Sequence, residues 1–119
     1  MIPVTLLKQK RNQHVEALER ALAKIVAQFS CLPEVERIVL FGSYAAGRWD
    51  LFTDLDLLVV MSSELDFVHR TAEVYSQLTV DVDLDLLVYT PKEFEEQRDK
   101  GLIKRAIETG RVLYEKKSP

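Results

Sequence analysis

Residues 42–56 read Gly-Ser-Tyr-Ala-Ala-Gly-Arg-Trp-Asp-Leu-Phe-Thr-Asp-Leu-Asp and lie between two apolar runs. The run before them is Ile-Val-Leu-Phe at residues 38–41, and the run after them is Leu-Leu-Val-Val at residues 57–60. Short apolar runs bounded by turn residues are typical of buried strands. A turn with a glycine and a hydroxyl, Gly42-Ser43, therefore follows one strand, and two carboxylates, Asp54 and Asp56, open the next. This combination suits a site that holds phosphate and metal together.

The rest of the chain predicts alternating helices and strands. Apolar residues at spacings of three and four indicate helices, and β-branched apolar runs indicate strands. The expected fold class is α/β (α+β), a small mixed sheet with helices packed on it. We predict helices at residues 4–30, 67–78, from Pro91 onward and 102–109. The helix at Pro91 is predicted to have Thr90 as its N-cap and Glu93 in its first turn. We predict strands at 35–41, 55–61 and 80–89, and a short strand or packed tail at 112–114.

Length and composition predict one globular domain. The chain has 119 residues, of which 47% are hydrophobic and 29% are charged, as in ordinary globular proteins. Apolar runs stay well short of the ~20 residues that cross a bilayer, so we expect no membrane association. Residues 1–10 lack the apolar core of a signal peptide, which favours a cytoplasmic location.

Charge is distributed unevenly along the chain. Residues 31–90 carry eleven acidic and three basic side chains, a balance of −8, whereas both ends are basic. An acidic centre does not resemble the basic stripe of a nucleic-acid-binding protein, so a nucleic-acid partner is not expected. It does resemble a site whose acids are neutralised by cations, with basic groups available for an anionic ligand.

The acids of two strands can meet at one end of the sheet. Asp54 and Asp56 fall on one strand face because side chains alternate. If the first two strands are antiparallel neighbours, Gly42-Ser43 lies at the end where Asp56 begins. The helix between the second and third strands makes those two strands parallel. The acids at the start of the third strand then join the same sheet end.

Hard oxygen ligands of this kind suit Mg²⁺ or Mn²⁺. Two such ions ~3.5–4 Å apart can clamp the attacking and leaving oxygens of a phosphoryl transfer. The third strand offers Asp81, Asp83 and Asp85 as further ligands. An exposed strand face is the better interpretation of Asp81.

The motif resembles that of the minimal nucleotidyltransferases in the DNA polymerase β superfamily. Gly42-Ser43 is followed after ten residues by Asp54-Leu55-Asp56, and residues 42–47 match the usual Gly-Ser-x-Ala-x-Gly beginning. Residues 85–94, Asp-Leu-Leu-Val-Tyr-Thr-Pro-Lys-Glu-Phe, are similar to the segment that carries the third acid. This resemblance favours Asp85 as the third ligand, with Asp83 as the alternative. The ending at residues 110–114 is similar to that of short members. The resemblance therefore covers residues 35–114, which would form the catalytic core of a single nucleotidyltransferase domain at 1–119, preceded by the helix at about 4–30.

This resemblance implies transfer of a nucleoside monophosphate, expected to be AMP, from ATP or another NTP to an acceptor hydroxyl. Asp54 and Asp56 would hold two Mg²⁺ ions, with Mn²⁺ as a substitute. Asp85 would complete the metal site and help to deprotonate the acceptor. Gly42 and Ser43 would hold the β- and γ-phosphates.

The resemblance also implies a partner. Many members of this size resemble antitoxins encoded beside a HEPN-type toxin, and some transfer AMP to a tyrosine of that toxin. We therefore expect an antitoxin that modifies a protein partner, in a hetero-complex or an oligomer. Two alternatives stay open, namely a non-catalytic nucleotide-binding antitoxin that acts by stoichiometric contact, and a small-molecule nucleotidyltransferase.

Three residues outside the acids allow two interpretations each. Arg48 follows the motif closely and is predicted to contact phosphate, although a solvated loop charge is an equal alternative. Trp49 is more readily a hydrophobic anchor for the loop than a base-stacking residue. His14 lies on a predicted helix without a metal-ligand pattern, so we expect a surface or packing role.

Overall fold

The computed structural model describes residues 2–117 and has five helices and four strands within that range. The helices follow the polar and apolar periodicity of the sequence, and the strands coincide with its β-branched apolar runs. The elements in chain order are α1 (Val4–Phe29), β1 (Val35–Phe41), α2 (Gly42–Ala45), β2 (Leu55–Met61), α3 (Phe67–Ser76), β3 (Leu84–Tyr89), α4 (Pro91–Gln97), α5 (Gly101–Thr109) and β4 (Arg111–Glu115).

The four strands form one mixed sheet in the order β3-β2-β1-β4. β1 pairs antiparallel with β2 and places Phe41 opposite Asp56. β2 pairs parallel with β3 and places Asp56 opposite Asp85. The predicted arrangement of the first three strands is therefore confirmed, because a crossover through a helix yields parallel neighbours. β4 adds an antiparallel edge strand beside β1.

Each face of the sheet buries its own apolar cluster. The larger cluster packs α1 and α3 against Ile38, Leu40, Leu57 and Val59. The smaller cluster packs Phe94 of α4 and Ile103 of α5 against the opposite face. β2 is buried almost completely, with Leu55 and residues 57–60 at 0–2% exposure, as expected for a strand in the middle of a sheet covered on both faces.

Helix α1 is anchored only along its second half. Its buried side chains, Leu18, Ala21, Leu22, Ile25 and Phe29, fall in the last twelve residues of the helix. Residues 4–13 are all exposed, so the first turns of α1 lie outside the apolar core. Burial of α1 against the core is therefore confined to its second half. No helix among residues 2–117 is long and apolar enough to span a bilayer.

The third strand begins later than predicted. The strand starts at Leu84 rather than at residue 80, and Asp81 and Asp83 lie in the connection before it. Aspartate is disfavoured in strands. The connection instead lies beside α1, where the Lys24 ammonium donates to the Thr79 carbonyl (2.8 Å). The prediction that all three acids belong to this strand is therefore wrong, and Asp85 alone lies in β3.

Helix α3 places two polar side chains, Arg70 and Tyr75, against the free edge of β3. Arg70 is 2% exposed and donates to the carbonyls of Val88 (3.1 Å) and Leu65 (2.9 Å). Its remaining guanidinium nitrogen donates to Glu93 of α4. Edge strands present unpaired backbone groups, and Arg70 satisfies one of them while it ties α3, β3 and α4 together.

The start of α4 shows the cap that its sequence predicts. The Thr90 hydroxyl accepts from the Glu93 N–H (3.2 Å), and the Glu93 carboxylate accepts from the Thr90 N–H (2.9 Å). Pro91 occupies the first turn, where its missing N–H costs nothing. Because Glu93 also accepts from Arg70, the helix cap and the buried arginine form one network.

Replacing Arg70 by methionine is expected to lower the free energy of unfolding by about 2–4 kcal/mol, because Glu93 and two carbonyls lose their donor. Urea denaturation measures this change. Arg20→Met is the matched control, since Arg20 is exposed and its ion pair with Glu16 spans 4.0 Å. The control should change stability by less than about 0.5 kcal/mol. Equal effects of the two substitutions would contradict the role given to Arg70.

Candidate active site

The Gly42 turn and the Asp56 carboxylate are in close contact. Gly42 has φ +76°, and a Cβ at this position would lie 2.1 Å from Oδ2 of Asp56. A side chain is therefore excluded both by the backbone conformation and by the neighbouring carboxylate. Ser43 follows in the first turn of α2 and is partly buried. The turn and the acid strand predicted to share a sheet end do lie together.

Asp56 and Asp85 form a close pair of carboxyl groups. They are opposite each other in the β2–β3 register, and their side chains lie within hydrogen-bonding reach. Both project to the face that carries Leu58, because they share its alternation along the strands. The acids therefore lie on the side of the sheet covered by α4 and α5.

The pKa of Asp56 is raised from 3.8 to about 6, chiefly by burial and in addition by the charges of Asp85 and Asp54. Desolvation and like charges both disfavour a carboxylate. A cation placed between these oxygens would remove the penalty. The donor set, all carboxylate oxygens, fits a hard divalent ion such as Mg²⁺ or Mn²⁺.

Asp54 is not drawn into the close pair. It is partly buried, precedes β2 and acts on Asp56 through its charge. As the side chains stand, residues 2–117 contain no group of three His, Cys, Asp or Glu side chains that could hold a metal ion. The structure therefore brings two of the three predicted acids together, and a three-carboxylate site requires a turn of the Asp54 side chain toward them. The alternative acid, Asp83, is exposed and lies before β3.

The Arg48 side chain contacts Asp50 of its own loop and not the candidate metal ligands. Its Nε donates to Oδ2 of Asp50 at 2.8 Å, and more than half of its side chain is exposed. This arrangement matches the interpretation of Arg48 as a solvated loop charge. A phosphate contact would require Arg48 to leave Asp50.

Thr53 and His14 hold the loop before Asp54 in place. The sequence alone did not assign this role to either residue. Thr53 is fully buried, and its hydroxyl donates to the Arg48 carbonyl (2.7 Å) and accepts from the Asp50 N–H (3.0 Å). His14 of α1 lies with Nε2 2.7 Å from the Thr53 carbonyl and is the donor there, since a carbonyl only accepts. A threonine beside the acid motif is a weak local signal for this role, whereas His14 is 39 residues away along the chain.

Trp49 anchors the same loop, in agreement with its predicted role. The indole N–H donates to the Tyr44 carbonyl at 3.1 Å, and the two rings lie 6.0 Å apart. The ring also borders α1 at Arg11 and Val15. The loop between Gly42 and Asp54 is therefore held at both ends and against α1.

The family description "Polymerase beta, Nucleotidyltransferase" matches residues 23–119. The chain belongs to this family. The predicted resemblance and the predicted enzyme class, nucleotidyltransferase, are thereby confirmed. The matched range of this nucleotidyltransferase includes Gly42, Ser43 and all the candidate acids, and it starts within α1.

One relative and two solved structures are similar to this chain. A Methanocaldococcus jannaschii protein named "putative protein adenylyltransferase" is 29% identical over 82 residues, which cover 67% of this chain and 79% of that protein. The crystal structure of a "putative nucleotidyltransferase" from Sulfolobus solfataricus has a TM-score of 0.55 and 15% identity, covering 92% of this chain and 87% of the other. This similarity confirms the predicted fold class. A chain of a mutant MntA–HpeT toxin–antitoxin crystal structure has a TM-score of 0.49 and 24% identity over 82% of this chain and 72% of that one.

Gly42→Ala is expected to displace Asp56 and to weaken the binding of a metal–nucleotide complex more than about tenfold, with MgATP as the probe in a thermal-shift titration. Gly47→Ala is the matched control. Gly47 also has a positive φ, +85°, but a Cβ added there would have no atom within 4 Å. Both substitutions should cost about 1 kcal/mol of backbone strain, and only Gly42→Ala should alter nucleotide binding. Weakened binding in both variants would contradict the role of the Gly42–Asp56 contact.

Asp56→Asn is expected to stabilise the metal-free protein at neutral pH. Between pH 3.8 and about 6 the folded chain holds a proton on Asp56 that the unfolded chain has lost. Stability therefore falls as pH rises through this window. The substitution removes the penalty and should raise the free energy of unfolding by about 1 kcal/mol above pH 6, after allowance for solvent screening. The gain should vanish as pH falls toward 4.

Urea denaturation in EDTA across this pH range measures the effect. Asp99→Asn, at an exposed carboxylate before α5, is the control and should show no such dependence. If Asp56→Asn raised the free energy of unfolding equally near pH 4 and above pH 6, electrostatic repulsion at the site would not be the cause.

Proposed function

We propose that the chain is a metal-dependent nucleotidyltransferase that transfers AMP from ATP to a hydroxyl on a protein partner. The observation that carries the proposal is the contact between the Gly42 turn and Asp56, with Asp85 opposite Asp56 in the sheet. A phosphate-binding turn and paired carboxylates at one sheet end provide what phosphoryl transfer requires. We propose further that residues 1–119 act as one domain, with residues 35–114 as its catalytic core, because α1 and the sheet share one apolar cluster.

In the proposed reaction, the acceptor oxygen forms a bond to the α-phosphorus of ATP, the bond to the β-phosphate oxygen breaks, and pyrophosphate leaves. Asp54, Asp56 and Asp85 are the proposed metal ligands, and Asp85 receives the proton of the acceptor hydroxyl. Gly42 and Ser43 bind the β- and γ-phosphates through the backbone and the hydroxyl. Arg48 is proposed to contact phosphate after it exchanges Asp50 for the nucleotide. Bound Mg²⁺ or Mn²⁺ would neutralise phosphate charge and align the reacting oxygens.

Two observations favour a protein acceptor over a small molecule. The Methanocaldococcus jannaschii relative is named for protein adenylylation. In addition, apolar side chains stay exposed beside the loop that leads to Asp54, with Phe52 at 82%, Val4 at 67% and Leu51 at 43%. These residues, with Leu7, line one shallow apolar depression between α1 and the loop. Exposed apolar surface of this kind is typical of protein contact sites.

The proposed partner is a HEPN-type toxin, with the chain as its cytoplasmic antitoxin in a hetero-complex. This part of the proposal is supported by the resemblance of residues 42–56 and 110–114 to the motif and the ending of short family members, many of which resemble antitoxins encoded beside such a toxin. A non-catalytic antitoxin would bind the same partner without transfer of nucleotide.

One labelling experiment separates these functions. The purified chain is incubated with α-³²P-labelled ATP, Mg²⁺ and the product of the neighbouring gene, and label on that protein is measured. We expect labelling that EDTA abolishes and that excess Mn²⁺ restores. The double variant Asp54→Asn, Asp56→Asn should reduce it by at least about 1000-fold.

The matched control is Asp81→Asn with Asp99→Asn, which removes the same charge from exposed positions outside the close acid pair. This control should retain full labelling. Neutralisation of the partner by wild type and double variant alike, without label in either, would overturn the enzymatic proposal and favour the non-catalytic antitoxin. Label on small molecules alone would overturn the protein acceptor.

A further inference from the structure

The outer edge of β3 carries a second polar contact from α3, at Tyr75. The Tyr75 hydroxyl donates to the Leu84 carbonyl at 2.7 Å and accepts from the Leu86 N–H at 2.9 Å. These two backbone groups belong to the residues on either side of Asp85. One hydroxyl therefore bridges the backbone groups on both sides of Asp85, the candidate third acid.

The two sides of β3 have different hydrogen-bond partners. Backbone groups of successive strand residues alternate in direction, so those of Asp85 face β2 while those of Leu84 and Leu86 face outward. β3 is an edge strand, with β2 on one side and, within residues 2–117, no strand on the other. On its open side, Tyr75 supplies the acceptor and the donor that a further strand would supply.

We propose that Tyr75 is a positioning residue for Asp85, holding the start of β3 so that the Asp85 carboxylate stays opposite Asp56. This inference rests on the proposed function, in which Asp85 is a metal ligand and receives the acceptor proton. Tyr75 itself does not contact the nucleotide or the acceptor in this scheme. Its contribution is the fixed backbone from which the Asp85 side chain projects.

The surroundings of Tyr75 differ from those of a purely structural contact. Arg70 makes a similar contact to β3 at Val88, but it is 2% exposed and also bonded to Glu93. Tyr75 is 40% exposed, and its hydroxyl is bonded only to the two backbone groups beside Asp85 among the described residues. Loss of a hydroxyl at this exposure should affect stability little, while it frees the backbone at Asp85.

The hydroxyl stays protonated and able to donate at neutral pH. Burial raises the pKa of Tyr75 above its usual value, and the charge of Asp85 adds to this, although the Leu86 N–H acts in the opposite direction. Donation to the Leu84 carbonyl therefore persists throughout the pH range of an assay.

Tyr75→Phe tests the proposal because it keeps the ring and removes the hydroxyl. We expect kcat for labelling of the partner to fall about 5- to 20-fold while KM for ATP changes less than about twofold. The Mg²⁺ concentration for half-maximal rate should rise about fivefold or more, since Asp85 is held less firmly toward the metal. Tyr114→Phe is the control, since its hydroxyl has no hydrogen-bond partner among residues 2–117, and it should leave all three quantities unchanged.

A double-substitution cycle with Asp85→Glu separates positioning from general support of the fold. If Tyr75 acts through Asp85, Tyr75→Phe should reduce kcat by less than about twofold once residue 85 is already displaced. The proposal would be overturned if Tyr75→Phe reduced kcat in the Asp85→Glu background by the same factor as in wild type. It would also be overturned if Tyr75→Phe alone left kcat and the Mg²⁺ requirement unchanged. If instead the double variant of Asp54 and Asp56 labels the partner as well as wild type does, the proposed function itself has failed.

Discussion

The contact between Gly42 and the carboxylate of Asp56 is the constraint on which the candidate site depends. The residue that follows β1 must lack a side chain, because the antiparallel pairing of β1 with β2 brings Asp56 against it. Any other residue would move either the turn or the acid. The turn that can receive phosphate and the acid that can hold metal are thereby fixed within one contact, before any ligand binds.

A second consequence of this geometry is electrostatic. The parallel β2–β3 pairing sets the exposed Asp85 beside the partly buried Asp56, where the two carboxylates repel each other and Asp56 loses water. Such a cluster lowers the stability of the metal-free protein at neutral pH. Proteins retain this kind of strain mainly at functional sites. The cost at Asp56 is therefore better explained by a cation-binding role than by folding.

Contacts from distant parts of the chain hold the site in place. α1 reaches the residue before Asp54 through His14, and α3 reaches both neighbours of Asp85 through Tyr75. Neither contact extends the apolar core. Both fix the backbone beside a candidate acid, which is the support that precise metal and phosphate geometry requires.

The sequence by itself determined the bounds of β1 and β2, the cap at Thr90 and the meeting of the Gly42 turn with Asp56. These features depend on local periodicity, on turn chemistry and on the rule that a helical crossover joins parallel strands. Only the tertiary structure decided that β3 starts at Leu84, that Arg70 is buried and that His14 reaches the Thr53 carbonyl. Each of these depends on side chains from segments that are brought together by folding, and no local pattern in the sequence records which distant group will satisfy a given backbone edge or charge.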